Sequence, residues 1–254
     1  MRVSRLAGAL LVLNFLAACA SLQAEVLHPH QPATVDDISA SGIVVLVNHS
    51  ASDARLFEGS FCGGVLVSEK VIVTAAHCVE GREPASIDIL SGITDLCADQ
   101  SGTRTKVTTI RTNIGPNQSI ALLLTTEAVP SDIAALAIKE PSAGNPLLAL
   151  GWGRQSIAGV PACALKSISL VVVDSSQCEM LAENPSSAEI VCSLPAGLEN
   201  TCDGDSGGPV LGFTDSGKVE VNSITMSGVG CGPASPGLNT LITEKLLEEW
   251  LSNR

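Results

Sequence analysis

The chain contains no tyrosine, and its 254 residues include only two tryptophans and four phenylalanines. Its core must therefore be built mainly from Val, Ile, Leu and Ala, which suits short β strands. Bases are also scarce. Fourteen Lys and Arg stand against 26 acids, a formal charge of −12. An acidic surface argues against nucleic acid or anionic membranes as partners. No Lys or Arg occurs from residue 6 to residue 54. No Cys-x-x-Cys or His-x-x-x-His pair is present, which speaks against a zinc clip, and no metal site is expected. Beyond the first twenty residues, no run is long and apolar enough for a membrane helix.

Those first residues set the compartment. A basic start, Met1 to Arg5, is followed by an apolar stretch from Leu6 to Ala18 and the small-x-small pattern Ala18-Cys19-Ala20. This reads as a secretory signal peptide over 1–20, with Leu16-Ala17-Ala18-Cys19 fitting a bacterial lipoprotein box as the alternative. Cleavage removes two arginines and no acid, leaving 26 acids against 12 bases and a charge of −14. The mature chain is expected to be secreted and extracellular, free of the membrane. Residues 21–34 form a short leader, and 35–254 are long enough for one two-barrel domain.

From residue 35 the chain reads as all-β. Short aliphatic runs appear at 43–47, 64–67, 71–74, 86–90, 106–111, 120–124, 147–151, 167–173, 209–212, 219–225 and 238–243. Gly, Pro, Ser, Asn and Asp separate them. One helix is expected at the C-terminus, capped by Thr243, with Leu246, Leu247, Trp250 and Leu251 on one face. Nine cysteines become eight when Cys19 leaves with the signal peptide. An even number in a secreted chain implies disulfides, and eight cysteines allow 105 pairings.

Two motifs carry chemistry: Thr74-Ala75-Ala76-His77-Cys78 and Gly204-Asp205-Ser206-Gly207-Gly208-Pro209, with Gly151-Trp152-Gly153 between them. A serine hydroxyl attacks an amide only when a base takes its proton. In order and flanking residues these motifs resemble the general base and nucleophile of the chymotrypsin-fold (trypsin-like) serine proteases, over roughly residues 35–254. The resemblance implies two packed six-stranded antiparallel Greek-key barrels with a C-terminal helix packed on the second. It implies His77 as base, Ser206 as nucleophile, and the backbone N–H groups of Gly204 and Ser206 as oxyanion hole. Asp205 would be the acid that pairs with a newly exposed N-terminal amine. Asn200, Thr201, Gly228 and Gly237 would shape the specificity pocket. Pairs Cys62–Cys78, Cys178–Cys192 and Cys202–Cys231 follow from the family, leaving Cys97 and Cys163 for each other. No cofactor is implied, and the expected partners are extracellular proteins or peptides.

The chain departs from that pattern in four places. Ser119 precedes Ile120-Ala121-Leu122-Leu123-Leu124, where the family has the aspartate that orients the histidine. Asp132 precedes a similar run, but it stands too near Gly151-Trp152-Gly153 to replace it. Thr34-Val35-Asp36-Asp37 stands where an activation sequence following a basic residue is expected. Asn200 puts a neutral group where trypsins carry an acid. Met226 and Ser227 replace the usual Ser-Trp. Sequons for N-glycosylation occur at Asn48 and Asn117. Two functions fit: a secreted endopeptidase attenuated at Ser119, or an inactive serine protease homologue acting as a binding or regulatory module.

Overall fold

In β1 (Ile43–Asn48), Val44 and Leu46 enter one apolar cluster, while Ile43, Val45 and Val47 enter another. Successive strand residues face opposite ways, so one short run helps to close two cores. The computed structural model that reveals this describes residues 34, 38–39, 41–98, 102–115, 118–154, 156–179, 189–228 and 230–252. The expected signal peptide, the leader up to residue 33, Val35, Asp36, Asp37 and Asn117 lie outside the described residues.

Strand β1 joins β2 (Ser60–Ser68), β3 (Val71–Ala75), β4 (Ile87–Ser91), β5 (Thr103–Ile114) and β6 (Ile120–Thr125) in a closed antiparallel barrel ordered β1-β2-β3-β6-β5-β4. A second barrel contains β7 (Pro146–Gly151), β8 (Lys166–Val172), β9 (Ile190–Pro195), β10 (Pro209–Phe213), β11 (Val219–Gly228) and β12 (Gly237–Leu241), ordered β10-β11-β12-β9-β8-β7. Closure leaves no bare edge to recruit another chain.

Four apolar clusters form among the described residues, the smallest around Cys178, Cys192 and Leu238. Leu46, Leu66, Ile72, Ile89 and Leu123 fill the first barrel. Leu147, Ile168, Leu170 and Val210 fill the second. Val45, Leu122, Leu150, Leu211 and Ile224 belong to a third cluster that draws on strands of both barrels. It is this shared core that fixes one barrel against the other, and hence His77 against Ser206.

Strand β9 has no counterpart among the runs expected from sequence. Its midpoint, Ser193, is buried, and its hydroxyl accepts a hydrogen bond from Asn239 Nδ2 at 2.9 Å. Ser193 interrupts an otherwise apolar run, Ile190-Val191-Cys192-Ser193-Leu194, and its polar partner lies on a distant strand. The terminal helix α1 (Glu244–Ser252) begins as expected, with the Leu246 amide donating to Thr243 Oγ1 at 3.3 Å. Its placement is broader than expected. Leu246 packs on the second-barrel core, but Leu247 and Trp250 enter the shared core, and Trp250 also flanks the β5–β6 turn of the first barrel. The indole is long enough to bridge both.

Four disulfides join Cys62–Cys78, Cys97–Cys163, Cys178–Cys192 and Cys202–Cys231. Three close loops of 14 to 29 residues, whereas Cys97–Cys163 spans 66 and ties the two halves of the chain together. Each such bridge contributes about 2–4 kcal/mol. Among the described residues, no helix is long and apolar enough to cross a membrane.

Candidate active site

His77 sits in a single turn of 3-10 helix, Ala76–Cys78, directly after β3. Two ties fix that turn. The Cys78 bridge fastens it to β2, and the Ala76 amide donates to the Ser119 carbonyl at 2.8 Å. Ser206 lies on the loop entering β10, which is tied to both barrels. The Gly63 amide of the first barrel donates to the Ser206 carbonyl at 2.8 Å, and the Gly207 amide donates to Thr225 of β11 at 2.7 Å.

These ties bring His77 and Ser206 to one cleft of ≈ 270 Å³, lined also by Thr201, Met226, Ser227 and Gly228. Among the described residues, neither the imidazole nor the Ser206 hydroxyl has a hydrogen-bond partner. The two side chains therefore share a cleft without being joined; catalytic contacts of this kind often tighten only when substrate binds. The amides of Gly204 and Ser206 likewise meet no acceptor among the described residues. Gly204 has φ +99°, a conformation open to glycine and strained for other residues. Two unspent donors beside a nucleophile are what a developing oxyanion requires.

Ser119, expected from sequence at the third triad position, bonds away from the ring. Ser119 Oγ lies 3.2 Å from Thr240 Oγ1, a hydroxyl on β12 that is almost wholly buried. The pair satisfies itself and carries no charge. Asp132 is exposed in the connection between the barrels, far in sequence from any tie to the histidine turn. Instead, the acid whose charge acts on His77 is Glu80, three residues on, in a second hollow on the Ser119 side of the ring. Although His77 is exposed as a residue, desolvation of its ring holds the imidazole below its ordinary pKa; Glu80 opposes this. Glu80 was not anticipated from sequence, because it belongs to no motif.

Asp205 is buried, and its carboxylate accepts from the Gly153 amide at 2.7 Å and the Cys202 amide at 2.9 Å. Burial raises its pKa, opposed by the charge of Lys166 and by these amides. No cation contacts it among the described residues.

Of the expected pocket residues, Thr201 and Gly228 line the cleft. Gly237 stands on the neighbouring strand, opposite Gly228 in the β11–β12 pairing. Asn200 lies behind the wall. Its Nδ2 donates to the carbonyls of Ser235 at 2.9 Å and Gly232 at 3.1 Å, and its Oδ1 accepts from Thr201. An amide so occupied organises the wall. Asn48 is similarly engaged, its Nδ2 on Gly59 and its Oδ1 receiving Arg82. The ligand atoms of Cys62, His77 and Cys78 lie within 4.8 Å of one another, but both sulfurs are spent on the disulfide. One imidazole does not hold a metal.

Comparison with known proteins agrees with this architecture. The trypsin family model matches residues 39–250. A trypsin of Saccharopolyspora erythraea is 32% identical over 190 residues, covering 70% of this chain and 80% of the relative. Trypsin-1 of Astacus astacus is 28% identical over 205 residues, covering 74% and 85%. Among solved structures, mouse neuropsin, a serine protease, matches the fold with a TM-score of 0.68 at 22% identity, covering 87% of this chain and 99% of that one. With its paired barrels and a histidine and serine facing one cleft, the chain belongs to the trypsin family of chymotrypsin-fold serine proteases.

Proposed function

We propose that the protein is a secreted serine endopeptidase, released by removal of residues 1–20, whose turnover is attenuated because Ser119 replaces the triad carboxylate. The observation that carries this reading is the meeting of His77 and Ser206 in one cleft beside two amides with no acceptor. Ser206 Oγ attacks the scissile carbonyl while His77 takes its proton. The tetrahedral oxyanion is held by the Gly204 and Ser206 amides, and His77 returns the proton to the leaving amine. Water repeats the sequence on the acyl-enzyme. Four disulfides support an oxidising compartment.

Ser119 sets the scale of attenuation. Removing the carboxylate from such a triad while keeping its shape lowers turnover about 10⁴-fold, roughly 5.5 kcal/mol. Asp203 is the one acid among the residues lining the cleft, beside neutral Thr201, Ser227 and Gly228, and the neutral Asn200 gives no charge-assisted reason to prefer Lys or Arg. The pairing of Ser119 with Thr240 favours a second reading, in which the cleft engages a protein without cleaving it. A fluorophosphonate probe separates the two. Slow labelling of the processed protein, abolished by Ser206→Ala, is the expected result; absence of labelling leaves the binding reading.

A further inference from the structure

The one disulfide that spans the two halves of the chain is surrounded by a local network. The Leu96 amide donates to the Cys163 carbonyl at 2.8 Å, and the Leu165 amide donates to the Thr94 carbonyl at 2.7 Å. Trp152 Nε1 also donates to Thr94 at 3.3 Å. Asp95 and Ala164 form an antiparallel bridge. A segment of the first half is thus laced to the stretch that follows β7.

That stretch holds the nucleophile loop. The Ala162 amide donates to the Trp152 carbonyl at 3.0 Å, and the Arg154 amide donates to the Asp203 carbonyl at 2.9 Å. Gly153 supplies one of the two amides on the Asp205 carboxylate. The approach is so close that a Cβ on Gly153 would overlap that carboxylate. Asp205 immediately precedes Ser206 and bonds to no cation among the described residues. Its carboxylate is therefore held by backbone whose own position depends on the lacing at 94–97 and 162–165.

We propose that the Cys97–Cys163 clamp, with Trp152, positions the Gly153 amide on Asp205 and so keeps the Gly204 and Ser206 amides aimed at the reacting carbonyl. Cys97, Cys163 and Trp152 are positioning residues; none lines the catalytic cleft. This rests on the peptidase reading for its kinetic consequence, but the mechanical link stands independently of it.

The test compares the full processed chain with the Cys97→Ser/Cys163→Ser double variant. Two readouts are taken: fluorophosphonate labelling rate, and amide hydrogen exchange of peptides covering 202–208, 151–154 and the first-barrel strands. The clamp predicts a labelling rate lowered about 10²-fold, the scale of losing one oxyanion donor. It also predicts faster exchange at 151–154 and 202–208, with β1 and β3 unchanged. In ester hydrolysis, kcat per folded molecule falls while KM holds; a smaller folded fraction lowers apparent kcat in the same way, so the rate is normalised to the folded fraction read by near-UV circular dichroism. Unchanged labelling, or unchanged exchange at 202–208, overturns the proposal. If the parent protein itself does not label, the peptidase reading fails and exchange at 202–208 alone decides the clamp. Should the double variant not fold, Trp152→Phe, which deletes the bond to Thr94 together with part of a buried ring, takes its place. It is expected to raise exchange at 151–154 and slow labelling several-fold; no change in either overturns the link.

Discussion

Ser119 and Thr240 present their hydroxyl oxygens to each other at 3.2 Å, one from the start of β6 in the first barrel and one from β12 in the second. The contact crosses between the barrels beside the histidine turn. It is a neutral bond, and much of the proposed attenuation follows from reading Ser119 as the residue that replaces the orienting carboxylate.

The pH dependence should record it. Desolvation lowers the His77 pKa, and only Glu80 opposes this. The acid limb of kcat/KM is therefore expected below the ordinary histidine value of about 6.5. Glu80→Gln removes the opposing charge and should move the limb lower still. The fold favours neutral imidazole, so this group's contribution to stability is complete above about 6.5 and is lost as pH falls through the lower folded value. Histidine NMR titration of the two proteins checks the order. A value for His77 above 6.5, or an upward move in Glu80→Gln, contradicts it.

Asn200→Asp should fail to create a trypsin-like preference for Lys or Arg. The new carboxylate would face the carbonyls of Gly232 and Ser235, which now receive hydrogen bonds from Nδ2. A buried polar group set against unsuitable partners costs about 1–3 kcal/mol, and more when charged. Denaturant unfolding should show at least that loss, with no gain on Lys or Arg substrates. Full stability together with new basic specificity would refute the placement of Asn200 behind the wall.

Trp250→Ala should destabilise the whole molecule by about 3–5 kcal/mol, the usual cost of emptying a buried aromatic site. Its indole is in the core shared by the barrels. A loss below about 1 kcal/mol in chemical denaturation would mean that the helix merely rests on the surface.

How legible the fold was in the sequence depended on which signal each residue carries. Continuous aliphatic runs such as Ile43–Val47 marked their strands because each side of the strand meets an apolar core. Strand β9 was missed although Ile190, Val191, Cys192 and Leu194 are apolar, because Ser193, satisfied by Asn239, breaks the run. His77 and Ser206 were legible through their flanking motifs. Glu80, Thr240 and the clamp at Thr94 and Trp152 were not, since each acts through a contact made only when distant segments meet. Asn200 was placed by its register before Ser206, and its own side-chain bonds turned it away from the cleft.

Turnover of Ser119→Asp beside the parent protein tests the central claim most directly. A carboxylate there would have the Thr240 hydroxyl as donor and the His77 turn as neighbour, restoring counter-charge to the imidazolium. If the remaining machinery is intact, kcat on a neutral peptide ester should rise about 10³–10⁴-fold, with the acid limb of its pH profile moving upward. An unchanged rate in a variant that still folds would contradict the account, and would place the defect in the nucleophile loop or the cleft.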